Sequence, residues 1–184
     1  MAKTHAIFNA SKMVSANVDA NVLAGICKTV DLDNGTLVTL GNLNYDTTTG
    51  KVKGFEYDVT PATAAADGLW IVDAPEVGYT PEMQIYNDPR YFYNEQGRAF
   101  TIRALNAGVD VLELSAAAFE DATLPTADKI GQYVQSVANG KFGKTPVAVA
   151  PSTGAYFRIE ALSDITVGFE QVPGVILRCM ANFH

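Results

Sequence analysis

The chain has 184 residues, a formal net charge of −7, and 18% charged against 48% hydrophobic side chains. That length supports one domain, or two small ones, with a real core, and that composition excludes intrinsic disorder. Thirteen Lys and Arg scattered from Lys3 to Arg178 form no stripe. Displacing the counterions of a nucleic acid takes clustered cations, so nucleic acid is not expected as a partner.

Residues 1–17 are polar and small, with Ile7, Phe8, Met13 and Val14 as the only sizeable apolar side chains. They read as an extended N-terminal arm that stays loose alone and orders against something else through those anchors. The start holds no apolar run of signal-peptide length, and no stretch approaches the ~18 apolar residues of a membrane span. A soluble protein made in a cytoplasm, with no membrane partner, is expected.

A single β-rich domain is expected over 18–184. Residues 18–30 form a strand candidate interrupted by Gly25, and Asp33-Asn34-Gly35 is a turn opening the alternating Thr36-Leu37-Val38-Thr39-Leu40. Residues 43–51 carry turn chemistry, because Asp and Thr side chains compete for the backbone and Gly50 opens it. Phe55-Glu56-Tyr57-Asp58-Val59 alternates again. A small-residue connector then feeds Leu69-Trp70-Ile71-Val72, stopped by Pro75.

Residues 75–97 are an insertion of another character. Pro75, Pro81 and Pro89 forbid a long helix or a central strand, so an ordered loop with at most a helical turn is expected. Its aromatics, Tyr79, Tyr86, Tyr91, Phe92 and Tyr93, must pack on the domain or on a neighbour. With Arg90, the group Tyr86, Tyr91, Phe92 and Tyr93 is also a candidate stacking platform for a sugar or base.

Strand patterning resumes at residues 98–105 and, after Asn106-Ala107-Gly108, at 109–114. Ser115 before Ala116-Ala117-Ala118 suggests a short capped helix. Residues 128–137 restart strand structure, Asn139-Gly140 is a hairpin signal, and three final strands are expected over 156–162, 165–172 and 175–180, the last two divided by Pro173-Gly174. Roughly nine to eleven short strands at spacings near ten residues make an all-β chain, mainly antiparallel, in sandwich or barrel-like sheets with one or two short helices.

Most candidate chemistry fails on spacing. Gly143-Lys144-Thr145 ends like a phosphate loop, but Ala138 stands where the first Gly is needed and Pro146 introduces a strand rather than a helix. Around Asp31-Leu32-Asp33-Asn34-Gly35, a calcium loop would place its first ligand on Val30 and its bidentate Glu on Gly41. The two histidines, His5 and His184, lie in segments expected to move, a poor platform for partnering Cys27 or Cys179 as a nucleophile. Those cysteines sit far apart in apolar runs and read as buried thiols. Glu113, Glu120, Asp121 and Glu160 read as solvated surface acids. No catalytic group, cofactor or metal is expected.

Several of these runs together resemble a decoration (capsid cement) protein of a tailed-bacteriophage head: residues 33–40, then Gly68-Leu69-Trp70-Ile71-Val72-Asp73-Ala74-Pro75, then Ile130-Gly131-Gln132-Tyr133-Val134 with Gly154-Ala155-Tyr156-Phe157-Arg158-Ile159. The likeness is scattered over about residues 18–180, and the insertion at 75–97 departs from compact members. The resemblance implies a non-enzymatic virion protein on the head surface that stabilises the shell. Its partners would be the major capsid protein and copies of itself, a trimer being one arrangement. Contacts would run through Ile7, Phe8 and Met13 of the arm and through Tyr86, Arg90, Tyr91, Phe92 and Tyr93. A tail-tube or head–tail connector subunit, and a carbohydrate-binding or adhesion module, are the alternatives.

Overall fold

The alternating runs become ten strands among the described residues of the computed structural model, which cover 4–14, 18–77, 85 and 87–183. In chain order they are β1 (Phe8–Asn9), β2 (Val22–Ile26), β3 (Leu37–Tyr45), β4 (Val52–Pro61), β5 (Leu69–Val72), β6 (Ala99–Ala104), β7 (Val111–Ser115), β8 (Tyr133–Gln135), β9 (Tyr156–Val167) and β10 (Glu170–Ala181). The helical segments described are three-residue 3-10 turns. The chain is therefore all-β. Strands β2-β4-β3-β5-β6 close into a barrel, and β1-β7-β10-β9-β8 form an open sheet. All pairings are antiparallel except β2 with β4.

Side-chain alternation explains how the two sheets become one body. On β3 and β5, Leu37, Leu69 and Ile71 point out of the barrel into a core shared with Leu112, Leu114, Phe157, Ile159 and Leu177 of the open sheet. Their neighbours Val38 and Val72 point inward, onto Val59, Phe100 and Ile102. Successive residues of one strand thus fill different cores, as a period of two requires. The shared core continues through Phe119, Phe142 and Phe157, with successive ring centroids 5.5 and 5.0 Å apart.

The seam is also sewn by polar groups. Buried Asn182 donates from Nδ2 to the carbonyls of Leu69 and Leu105, both at 2.9 Å, and accepts the Leu69 N–H at 2.8 Å. At the Asn139-Gly140 turn both residues take positive φ, 64° and 68°. The Gly140 N–H donates to Ala62 O at 3.0 Å, and a Cβ there would stand 2.2 Å from the Leu37 carbonyl oxygen. Only glycine fits so close an approach with that φ.

Several boundaries differ from the sequence reading. Residues 165–172 and 175–180 are not two strands divided by Pro173-Gly174: residues 165–167 end β9, the missed turn is Gly168-Phe169, and β10 runs from Glu170 straight through Pro173-Gly174. Proline is tolerated because β7 begins to pair only at Gly174, so Pro173 lies just beyond that partner. Ser115 caps no helix. Its hydroxyl accepts the Ile7 N–H instead, and the residues after it make only 3-10 turns. Of 128–137, only Tyr133–Gln135 is strand.

Candidate functional site

Three of the four N-terminal anchors lie inside the chain's own fold, and Val14 is exposed. Phe8 and Asn9 pair with Leu114 and Glu113, making β1 the edge of the open sheet. Ile7 donates to Ser115 Oγ at 2.9 Å, and the Ser115 N–H donates to Ile7 O at 3.0 Å. Ile7, Phe8 and Met13 are all buried, Phe8 and Met13 in the shared core. This departs from a loose arm: β7 offers an open ladder edge, and the apolar anchors find cover a few residues away.

The aromatic insertion is likewise turned inward where it is described; Tyr86 lies outside the described residues. Phe92 is buried in the barrel core. Tyr93 stacks on His5, centroids 5.0 Å apart and planes 23° from parallel. The Arg90 guanidinium donates to both carboxylate oxygens of Asp88 and to Glu170 beside the turn of the β9–β10 hairpin, and lies 5.9 Å from the Tyr91 ring centroid. The Arg90 hydrogen bonds hold the Asp88 carboxyl below its usual range. Residues 87–94 thus lie as a strap across the molecule, Phe92 buried and Tyr91 and Tyr93 half-buried.

Strap, arm and the first turn meet along a groove of about 790 Å³ between barrel and open sheet. His5 Nδ1 lies 2.6 Å from Asp33 Oδ1, and the Ala6 N–H donates to Asp33 Oδ2 at 3.0 Å. The His5 N–H donates to Arg90 O at 2.9 Å. Asp33 thus uses both oxygens to clasp the start of the chain. Opposite, the Lys141 ammonium donates to Ala117 O at 2.9 Å. These groups are spent on holding segments together. Cys179 is buried, and burial followed by the charge of Asp110 pushes its thiol up to about 12, which disfavours the thiolate a nucleophile needs. Cys27 is buried too, and the cysteines are unpaired. Among the described residues no group of three or more His, Cys, Asp and Glu is placed to hold a metal.

What the molecule does present is two ribbons that leave the body. On β3, β5 covers only Leu37–Thr39, and on β4, β2 covers only Tyr57 and Asp58. Residues 41–45 and 52–56 therefore continue as a two-stranded ribbon carrying exposed Tyr45, Val52 and Phe55, the last 86% exposed. Likewise β7 covers β10 only from Gly174, and β8 covers β9 only over Tyr156–Arg158. Beyond them the β9–β10 hairpin runs out to Gly168-Phe169, where Gly168 has φ +60° and the Phe169 ring is wholly exposed.

Sequence reasoning missed both rings. Phe55 was hidden by its alternating strand, since period says which face a residue takes but not where a covering neighbour stops. For Phe169 a signal existed: Gly followed by one residue between alternating runs is the pattern of a two-residue hairpin turn. Comparison of the chain with family models, curated proteins and solved structures gives no match.

Proposed function

We propose that the chain is a non-enzymatic structural subunit of a phage virion, a decoration protein that binds the outside of the capsid shell. The virion assignment rests on the motif resemblance described above. The observation that carries a contact role is the pair of ribbons, each offering a bare phenylalanine from a stiff frame. An aromatic ring brings a large apolar area to an interface at little cost in conformational entropy. Repeated over a symmetric shell, such small contacts add through multivalency, so no single one need be large.

The acidic balance, −7 overall, suits an outer surface better than one facing packaged DNA. The arm has a different part in this reading from the one its composition suggested. Its buried side chains stiffen the subunit, and the ribbons make the contacts. Shell attachment is tested by pelleting expanded, DNA-free heads of the encoding phage with the purified chain. Saturable co-sedimentation is expected, and a chain left wholly in the supernatant overturns the reading.

A further inference from the structure

We propose that the chain forms an amide cross-link within itself, in which the Lys28 amine displaces ammonia from the Asn44 side chain with Asp58 as proton carrier. Neighbouring strands bring these groups together. Lys28 stands two residues past the end of β2, Asp58 lies on β4 opposite Ile26, and Asn44 lies on the part of β3 that β5 leaves uncovered. The order β2-β4-β3 sets the carboxylate between the amine and the amide.

Lys28 Nζ donates to Asn44 Oδ1 at 3.0 Å, so the amide carbon is one bond beyond an atom already in contact. The same Nζ lies 2.7 Å from Asp58 Oδ1. A productive encounter asks for reacting atoms about 3–3.5 Å apart, with a proton carrier within hydrogen-bond reach. Asp58 Oδ1 is an independent sign. It is shut off from solvent and accepts no hydrogen bond from the described residues, and such orphans are rare in folded proteins. What faces it is the Lys28 ammonium. The backbone beneath the lysine is pinned too: Gln96 Nε2 donates to Lys28 O, and the Gly97 N–H to Cys27 O, both at 2.7 Å. An ordinary surface ion pair holds its lysine loosely. Here the amine is set against an acid and an acyl group at once.

Asp58 takes a proton from the Lys28 ammonium, and the freed lone pair attacks Asn44 Cγ. The Nζ–Cγ bond forms and the Cγ–Nδ2 bond breaks. Two of the three Nζ hydrogens pass through Asp58 to Nδ2, which departs as an ammonium ion, and Asp58 returns to its carboxylate. No oxidant or cofactor is consumed. The product ties β2 to β3 across β4, at the root of the β3–β4 ribbon where β2 stops covering it. A pull on the ribbon then meets a covalent strut as well as ladder hydrogen bonds. This chemistry is independent of the surface the chain binds, so its failure leaves shell attachment standing.

Mass spectrometry of the full folded chain tests it, after incubation until the mass stops changing. A loss of one ammonia is expected. Succinimide formation at an Asn-Gly pair loses the same mass, and trypsin separates the two. An acylated Lys28 is not cut, so residues 13–51 emerge as one peptide short of ammonia, with fragment ions joining Lys28 to Asn44. A succinimide at Asn34 leaves the cut after Lys28 intact. Lys28→Arg, Asn44→Ala and Asp58→Asn should each keep the full mass. None of the three residues is buried, so the variants should fold, and the wild-type chain decides even where one does not. A wild-type chain of unreduced mass, one cut freely after Lys28, or an Asp58→Asn variant that reacts like the parent would each overturn the proposal.

Discussion

Replacing Gly140 by alanine isolates the contact between barrel and open sheet. Two costs combine there. Holding a Cβ-bearing residue at φ +68° costs about 1–2 kcal/mol. The new Cβ, 2.2 Å from the Leu37 carbonyl oxygen, must also push one backbone off the other, and forced overpacking costs about 1–3 kcal/mol. The total is about 3 kcal/mol, less a few tenths recovered because alanine restricts the unfolded chain. Gly108 is the control: its φ is +83°, but no atom lies within 4 Å of its virtual Cβ, so Gly108→Ala carries only the first cost. For a chain of this size about 3 kcal/mol lowers Tm by about 6–12 °C. Denaturant unfolding followed by the emission of Trp70, the only tryptophan, supplies the measurement. If Gly140→Ala costs no more than Gly108→Ala, the 139–140 turn is not seated on β3 and the account of the seam fails.

Three further expectations follow from burial and charge. Phe8→Ala should cost about 3–5 kcal/mol and Met13→Ala about 2–5 kcal/mol in the same assay, as core truncations do, whereas near-neutral values would restore a loose arm. Asn182→Ala strands the Leu69 N–H and two carbonyls in the core and should cost at least about 2 kcal/mol; a loss under a few tenths would refute the suture. Cys179 titrates near 12 when folded and lower when unfolded, so its contribution is intact below the unfolded value and declines as pH rises toward 12. Replacing it by serine should flatten that decline, and an unchanged alkaline slope would count against it.

Where nearby residues decide the structure, the sequence was enough. An apolar run stopped by Pro75 marked Leu69–Val72, alternation marked Ala99–Ala104, and the Asp33-Asn34-Gly35 and Asn139-Gly140 turns stood where their residues imply. The reading failed where partners come from afar. The placement of β1 depends on the free edge of β7, about a hundred residues later, which no local pattern of 1–17 announces. Glu113 breaks the expectation of a solvated acid: it is buried under β1, and its Oε2 accepts from Asn9 Nδ2 at 2.7 Å. Pro173-Gly174 looks like punctuation until one sees that β10 has no second partner at Pro173 and gains one only at Gly174. The ribbons were illegible for the same reason, since exposure of Phe55 and Phe169 is decided by where β2, β5, β7 and β8 end.

Strands β3 and β5 stand as a party wall, with a furnished room on either side. Slipping either strand by a single residue would send Leu37 or Ile71 into the wrong room and empty both at once. Neither half of the molecule can therefore melt by itself, and a fragment ending before β6 would leave an oily surface open to water. The whole chain should come apart in one cooperative step.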